Sequence, residues 1–289
     1  MAGVREIRRR IRAVKNIEQI TRAMQMVAAA RLRKAQERVL AARPYADKMN
    51  FVMGHLAAAS RQIDHPLLHE HEEVKKIAVV AIASNRGLCG GYNTNLFRMV
   101  AEFVRSKEPT PCALYLYGNR AVGHFKRRNY DIAAAPELFD KQIPWAEVRA
   151  ISRSLQSQFI DGEYDEVYLI YTRFISMISF KPEVVRLLPI TGTHGDGDDA
   201  PRETDYIFEP DATELLGSLF PRYVDTQLYH ALLESLASEQ GARMTAMANA
   251  TDKAGDMIRE LTLSYNKVRQ GAITKELLEI VSGAGALDQ

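Results

Sequence analysis

The fold is decided by residues 228–261, which read LYHALLESLASEQGARMTAMANATDKAGDMIREL. They lie in a longer segment, from about Asp211 to Ala286, rich in Ala, Leu, Met, Glu and Gln, the residues that lose least on entering a helix. At about 1.5 Å per residue, a helix from Pro221 to Ser282 would be roughly 90 Å long, whereas a compact domain of this length is about 40 Å across. The helix must therefore project, and another element must cover its apolar side.

The N-terminal segment carries a matching apolar pattern. Apolar residues recur there at spacings of three and four, as in a coiled-coil seam: Val4, Ile7, Ile11, Val14, Ile17, Ile20, Met24 and Val27. The pattern then shifts to Ala28, Leu32, Ala35, Val39 and Ala42. Pro44 is expected to kink or interrupt the helix, which resumes over residues 45–60. We predict an antiparallel pair of terminal helices, with a residue near Tyr265 facing Val14.

The composition is that of a soluble chain. Charged residues make up 26% of its 289 residues and hydrophobic residues 46%, which is typical of soluble proteins. No apolar run approaches the roughly 20 residues that span a bilayer. The two cysteines, Cys89 and Cys112, lack metal or redox spacing, which favours a reducing compartment. The Arg-rich N-terminus resembles a transit peptide, but its helical pattern continues to Ala42, so we interpret it as mature structure.

The N-terminal helix is strongly basic. Thirteen Lys and Arg residues lie between Met1 and Lys48, against four acidic residues. Such a helix attracts an acidic protein, a nucleic acid or an anionic lipid, although a solvated helix face also remains possible.

Between the terminal helices the pattern changes to alternating strands and helices. We predict strands at 77–82, 111–117, 130–134 and 167–171, helices at 93–105, 119–128 and 144–160, and an extended antiparallel edge segment at 175–190. This alternation predicts a small α/β sheet with helices on both faces. The fold class is therefore α/β: a long antiparallel coiled coil of N- and C-terminal helices with a central Rossmann-like domain. The expected segments are 1–62, 63–208 and 209–289.

Three stretches look like chemical sites but fit them poorly. The turn SNRGLCGG, residues 84–91, follows a predicted strand, which is the position at which nucleotide-binding domains hold phosphates. Its sequence matches neither G-x-G-x-x-G nor a Walker loop. Arg86 alone is a weak phosphate signal. Residues 63–74 contain three histidines at spacings that match no closed metal site. The loop 192–204 lacks the order of a calcium loop. We expect no catalytic residue, cofactor or metal.

Three stretches together resemble the gamma subunit of F-type ATP synthase. The first reads REI at residues 5–7 and KNIEQITRAMQMVAAA at 15–30; the second is RGLCGG at 86–91. The third reads LASEQGARM at 236–244 and continues through ANATDKA at 248–254, YNKVRQ at 265–270, ITKEL at 273–277 and IVSG at 280–283. Gly241 and Gly271 stand where the family usually has a residue with a side chain, and Asn85 where it more often has Asp.

The resemblance implies a bacterial-type, non-catalytic rotor shaft. In that family the paired helices turn inside a ring of alpha and beta subunits, while the α/β domain lies beside the epsilon subunit and on the c ring of Fo. Proton flow turns the shaft, which drives the beta catalytic sites through their states. It also implies a location on the cytoplasmic face of the inner membrane, with membrane contact only through the c ring and no nucleic acid.

The resemblance also implies roles for individual residues. Contacts with beta subunits are expected from Arg8, Arg9, Arg22, Met24, Glu239, Arg243, Gln270, Thr274 and Glu276. Contacts with epsilon and the c ring are expected from Tyr206 and Glu209. For Met24, packing in the coiled-coil seam is an equal alternative.

Two other functional classes fit the residues less well. A nucleic-acid-binding coiled coil would use the basic N-helix, but its first forty residues contain no aromatic side chain for base stacking. A nucleotide-using enzyme would need the missing phosphate motif.

Overall fold

Two long helices and a five-stranded sheet make up the fold. The computed structural model describes residues 2–59, 65–136, 143–190 and 212–287. In chain order the elements are α1 (Ala2–Ala59), β1 (Ile77–Ile82), α2 (Tyr92–Ser106), β2 (Cys112–Tyr117), α3 (Asn119–Lys126), β3 (Ile132–Ala134), α4 (Trp145–Ile160), β4 (Glu166–Phe174), β5 (Phe180–Leu188) and α5 (Ala212–Leu287), with a short 3-10 turn at Pro66–Leu68.

The sheet has the order β3-β2-β1-β4-β5. β1, β2, β3 and β4 run parallel, and β5 pairs antiparallel with β4 at the edge. On one face, Val79 and Ala81 belong to an apolar core shared with α2 and α3. On the other, the Tyr115 hydroxyl donates to Gln158 of α4 at 2.9 Å. The predicted α/β sheet, its edge strand and its helices on both faces are confirmed.

Contacts divide the chain into two units. The first unit comprises Met1–Ala29 and Arg243–Gln289, and the second comprises Ala30–Ala242. Each unit therefore contains a part of α1 and a part of α5. The three sequence segments, 1–62, 63–208 and 209–289, stay a prediction.

In the first unit α1 and α5 pair antiparallel. A Cβ added at Gly3 would lie 3.9 Å from Val268 Cγ1, and the Thr21 and Thr251 hydroxyls are hydrogen-bonded at 2.8 Å. As α1 advances from Gly3 to Thr21, its partner position on α5 retreats from Val268 to Thr251. This register puts Val14 opposite about Ile258, two turns from the expected position near Tyr265.

The seam of α1 keeps one heptad pattern along its whole length. Its positions are buried or half-buried: Val4, Ile7, Ile11, Val14, Glu18, Thr21, Gln25, Ala28, Leu32, Ala35, Val39, Ala42, Ala46, Met49 and Met53. The predicted course through Ile17, Ile20 and Val27 is wrong, because these side chains are 52%, 59% and 55% exposed. The physical reason is that seven-residue spacing places polar Thr21 and Gln25 inward and the larger apolar residues outward.

α1 also continues through Pro44, so the predicted interruption is wrong. A proline inside a helix removes one backbone hydrogen bond and crowds the preceding turn. Val39, Ala46 and Met49 on the flanking turns are buried in the second unit. Their packing holds the helix where local propensity alone would break it.

Gly241 marks a close approach in the second unit. A Cβ there would lie 3.0 Å from the Met177 carbonyl oxygen, in the turn between β4 and β5, and 3.8 Å from Leu32 Cδ1 of α1. The glycine therefore lets that turn lie directly against α5.

The register of the first unit can be tested with a disulfide. We expect Thr21→Cys with Thr251→Cys to crosslink on mild oxidation, because the two hydroxyls already touch and disulfides need a Cβ separation of about 3.8 Å. Gel mobility of the full chain measures the crosslink. Ile20→Cys with Thr251→Cys is the matched control, since Ile20 points outward. Equal crosslinking of the two pairs would contradict the register.

Gly118 supports a second prediction. Its φ is +94°, and a Cβ there would lie 2.5 Å from the Ala83 carbonyl oxygen at the end of β1. We expect Gly118→Ala to lower the free energy of unfolding by more than about 1–3 kcal/mol, the typical cost of such a backbone conformation alone.

Gly123→Ala, in α3 directly after Gly118, serves as the control. A Cβ at Gly123 meets nothing within 4 Å, so the change should stabilise the helix by up to about 1 kcal/mol. Urea unfolding of both variants measures the difference, and similar midpoints would rule out the steric explanation.

Candidate interaction surface

An apolar stripe lies on the outward side of α1 in the first unit. We define it as the outer stripe: Ile17, Ile20, Met24 and Val27. Spacings of three and four place these residues on one face of the helix. Three are more than half exposed, and Met24 is partly buried beside the seam. Grouped exposed apolar residues of this kind mark protein-interaction surfaces. The sequence analysis placed them inward; extending the seven-residue step from Val14 to Thr21 and Ala28 would have found them.

Basic side chains flank the outer stripe. All seven Lys and Arg residues between Arg5 and Arg22 are exposed, among them Arg8, Arg9 and Arg22. The acids in that segment are Glu6, bonded to Arg10 at 2.6 Å, and half-buried Glu18. The helix therefore offers a partner an apolar strip bordered by positive charge, a combination that attracts an acidic surface.

The end of α5 presents a second exposed region. Gln270 and Thr274 are exposed, and the Thr274 hydroxyl donates to the Gln270 carbonyl at 3.0 Å. Ile273 and Leu277 are also about half exposed. By the register above, Gln270 lies opposite the first residues of α1, whereas Ile273, Thr274 and Leu277 lie past its start, so no described residue of α1 is opposite those three. The side chain of Glu276 lies outside the described residues.

Glu239 and Arg243 differ from the other predicted contact residues. They are only 7% and 9% exposed. In the second unit, the charge of Glu239 and, more strongly, burial raise the pKa of Tyr92 well above its usual range. Contacts of these two side chains with another subunit stay a prediction that their burial does not support. Tyr206, Glu209 and the loop 192–204 lie outside the described residues.

The glycine-rich turn after β1 bonds to itself and to α5. Asn93 donates to Ser84 Oγ at 2.7 Å and to Cys89 Sγ at 3.2 Å, and Ser84 Oγ donates to the Arg86 carbonyl at 2.7 Å. The buried Tyr92 hydroxyl donates to the Ser235 carbonyl of α5 at 3.2 Å. These contacts give the turn a structural task, which is to fix the start of α2 on α5.

The histidine-bearing connector makes packing contacts. His65 Nδ1 accepts from the Leu67 amide at 3.1 Å, and its ring lies 4.8 Å from that of Phe220. His71 Nδ1 lies 3.8 Å from Asp165, and its ring packs edge-on against Phe159. Within the residues described, no group of three or more His, Cys, Asp or Glu is placed to hold a metal ion.

The architecture and surface define a class: an α/β protein whose first and last helices pair antiparallel and carry an exposed apolar stripe with a basic border. Across the described parts of the chain, no helix has the length and apolarity to cross a bilayer. A sequence profile described as ATP synthase matches residues 3–287. The ATP synthase gamma chains of Desulforamulus reducens and Moorella thermoacetica are 46% and 47% identical, over 100% and 99% of this chain and all of theirs. The chain belongs to the ATP synthase gamma-chain family.

Solved structures agree on the fold. A chain of the Euglena gracilis mitochondrial ATP synthase, solved as OSCP/F1/c-ring, matches with a TM-score of 0.72 and 20% identity, over 99% of this chain and 95% of its own. A chain from the central stalk and c ring of the Tetrahymena thermophila mitochondrial enzyme matches with a TM-score of 0.61 and 25% identity, over 80% and 99%.

Because its polar groups bond internally, the turn at residues 84–91 should bind no nucleotide. Calorimetry of the full chain with ATP, ADP and NAD should show no saturable heat. Micromolar binding that Arg86→Ala abolishes would overturn the structural interpretation and restore a nucleotide site at this turn.

Proposed function

We propose that this chain is the rotor shaft of an F1Fo ATP synthase. It couples proton-driven rotation of the c ring to sequential conformational change at the beta catalytic sites, and the reverse during hydrolysis. Its partners are the alpha and beta subunits, the epsilon subunit and the c ring. Family membership, with relatives aligned over their full length, supports this role over a nucleic-acid binder or an enzyme.

The observation that carries the proposal is the outer stripe with its basic border. A rotor surface must contact several subunits in turn, so its contacts need to be weak and exchangeable. Exposed ion pairs contribute only about 0.2–1 kcal/mol each, whereas losing one partner of a buried pair costs about 3–5 kcal/mol. Exposed Arg8, Arg9 and Arg22 suit the first kind of contact.

The remaining roles follow from the same proposal. Gln270, Thr274 and Glu276 contact the ring near the end of α5, and Tyr206 and Glu209 contact epsilon and the c ring. The chain itself carries out no catalysis and binds no cofactor. It is peripheral to the inner membrane, on the cytoplasmic side, and reaches the membrane only through the c ring.

The experiment changes the outer stripe without changing the seam. Ile17→Ser with Ile20→Ser should fold normally, because substitutions at exposed sites usually alter stability by less than about 0.5 kcal/mol. In the assembled enzyme, each isoleucine buried against the ring would contribute about 1.5–3 kcal/mol. We therefore expect more than tenfold weaker incorporation of the variant with alpha and beta subunits, or a comparable loss of ATP synthesis in vesicles.

Leu40→Ser is the matched control, since Leu40 is equally exposed on the same helix but lies outside the outer stripe. It should assemble like the wild-type chain. Normal assembly and synthesis by the stripe variant would remove the support for this contact surface.

A further inference from the structure

A buried carboxyl group lies where α1, α5 and the end of β4 meet in the second unit. The Glu234 side chain, on α5, is 2% exposed. Its Oε1 lies 3.4 Å from Arg43 Nη2 of α1 and 3.6 Å from Nε2 of His230, one turn earlier on α5. Among the described residues, neither Glu234 Oε2 nor His230 Nε2 has a hydrogen-bond partner. Buried polar atoms without partners are rare and require an explanation.

Arg43 connects this carboxyl group to the sheet. The same Nη2 atom donates to the Phe174 carbonyl, the last of β4, at 3.3 Å. One guanidinium thus bridges α1, α5 and the β4–β5 hairpin. Both contacts are long, since charge-assisted bonds are typically about 2.7–2.9 Å. Arg43 also directly precedes Pro44, which cannot donate a backbone hydrogen bond within α1. A side-chain bond that holds α1 in place therefore has most effect at this position.

Charged and titratable groups surround Glu234 on every element packed there. They are Arg43 and Asp47 on α1, Tyr171 and Arg173 on β4, Glu183 on β5 and His230 on α5. Burial raises the pKa of Glu234 to about 7, against the opposing effect of Arg43 and Arg173. Burial and the charge of Arg43 lower the pKa of His230, and Asp47 opposes them. His230 is therefore neutral at pH 7, and its Nε2 can accept a hydrogen bond from the hydroxyl of a protonated Glu234.

We propose that Glu234, with Arg43 and His230, forms a proton-operated clamp that ties α1 to α5 and to the end of β4. When Glu234 is protonated, its hydroxyl donates to His230 Nε2, its other oxygen accepts from Arg43, and the clamp is closed. When Glu234 loses its proton to solvent, the bond to His230 is lost and the buried carboxylate keeps only the long contact with Arg43, so the clamp loosens. Arg43 lines an open cleft of about 630 Å³ with Arg173, Lys181 and Glu183, so water reaches this side of the clamp.

Opening the clamp and unfolding the chain both expose Glu234 to water, so deprotonation of this group weakens both. A carboxyl group whose folded pKa is raised contributes most below its unfolded value of about 4.5, and that contribution is lost as pH rises to about 7. His230 acts the other way, since a lowered pKa costs stability as pH falls below about 6.5. The pH dependence of global unfolding therefore combines the effects of Glu234 and His230, so the clamp has to be tested by a local measurement.

The first measurement is the titration of Glu234 in the full chain. Carbon-13 carboxyl NMR with labelled glutamate follows each Glu, and Glu234→Gln identifies the signal. We expect a midpoint near 7 that rises further in Arg43→Gln, because removing a nearby cation favours the protonated form. Arg43→Lys, which keeps the charge, should leave the midpoint close to that of the wild type. A midpoint below 5, or one unchanged in Arg43→Gln, would overturn the proposal.

The second measurement is amide hydrogen exchange over residues 39–49 and 170–180, corrected for intrinsic rates. Between pH 6 and pH 8 we expect protection in the wild-type chain to fall on the order of tenfold, because opening exposes Glu234 to water and its ionised form favours the opened state. Glu234→Gln should lose this fall. Glu37→Gln, at an exposed pair with Arg33 on the same helix, should keep it. A flat response in the wild type, or a fall that persists in Glu234→Gln, would refute the clamp.

Discussion

The rest of the structure depends on the close antiparallel packing of α1 and α5 through a seam with seven-residue spacing. Thr21, Ala28 and Ala35 occupy inward positions of α1, and Thr21 meets Thr251 through a hydrogen bond of 2.8 Å. Small side chains let two helix backbones approach closely, so these positions tolerate little change. The same spacing leaves Ile17, Ile20 and Val27 on the outside, and so the pattern that holds the pair together also exposes an apolar surface.

In the second unit α5 packs against the sheet as well as against α1. Ser238 donates to the Thr172 carbonyl at 3.1 Å, and the Thr172 amide donates to Ser235 Oγ at 3.4 Å. Both serines are buried, so their hydroxyls need these partners. Polar residues on α5 thus face the α/β core, while Gly241 admits the β4–β5 turn. This part of the helix is enclosed by protein on several sides, unlike an ordinary amphipathic surface helix.

The sequence predicted the sheet more reliably than the helix seam. Continuous apolar runs such as Ile77–Ile82 indicate buried strands when turns bound them, and the parallel direction of the strands followed from their alternation with helices. The strand order was not predicted. The seam failed at Ile17, Ile20 and Val27 because periodicity analysis assumes that apolar residues point inward. A chain that buries apolar residues against other subunits breaks that assumption. The Arg43–Glu234 contact could not be predicted, since it joins residues 191 positions apart through tertiary packing.

The outer stripe has a consequence for the cell that makes this chain. In the isolated chain, Ile17, Ile20 and Val27 are open to chaperones, to proteases and to copies of the same chain. An excess of this polypeptide over its partners would therefore be removed or would aggregate. The rate of its synthesis therefore has to match that of its partner subunits. The quantity of assembled complex is then set by whichever chain is scarcest.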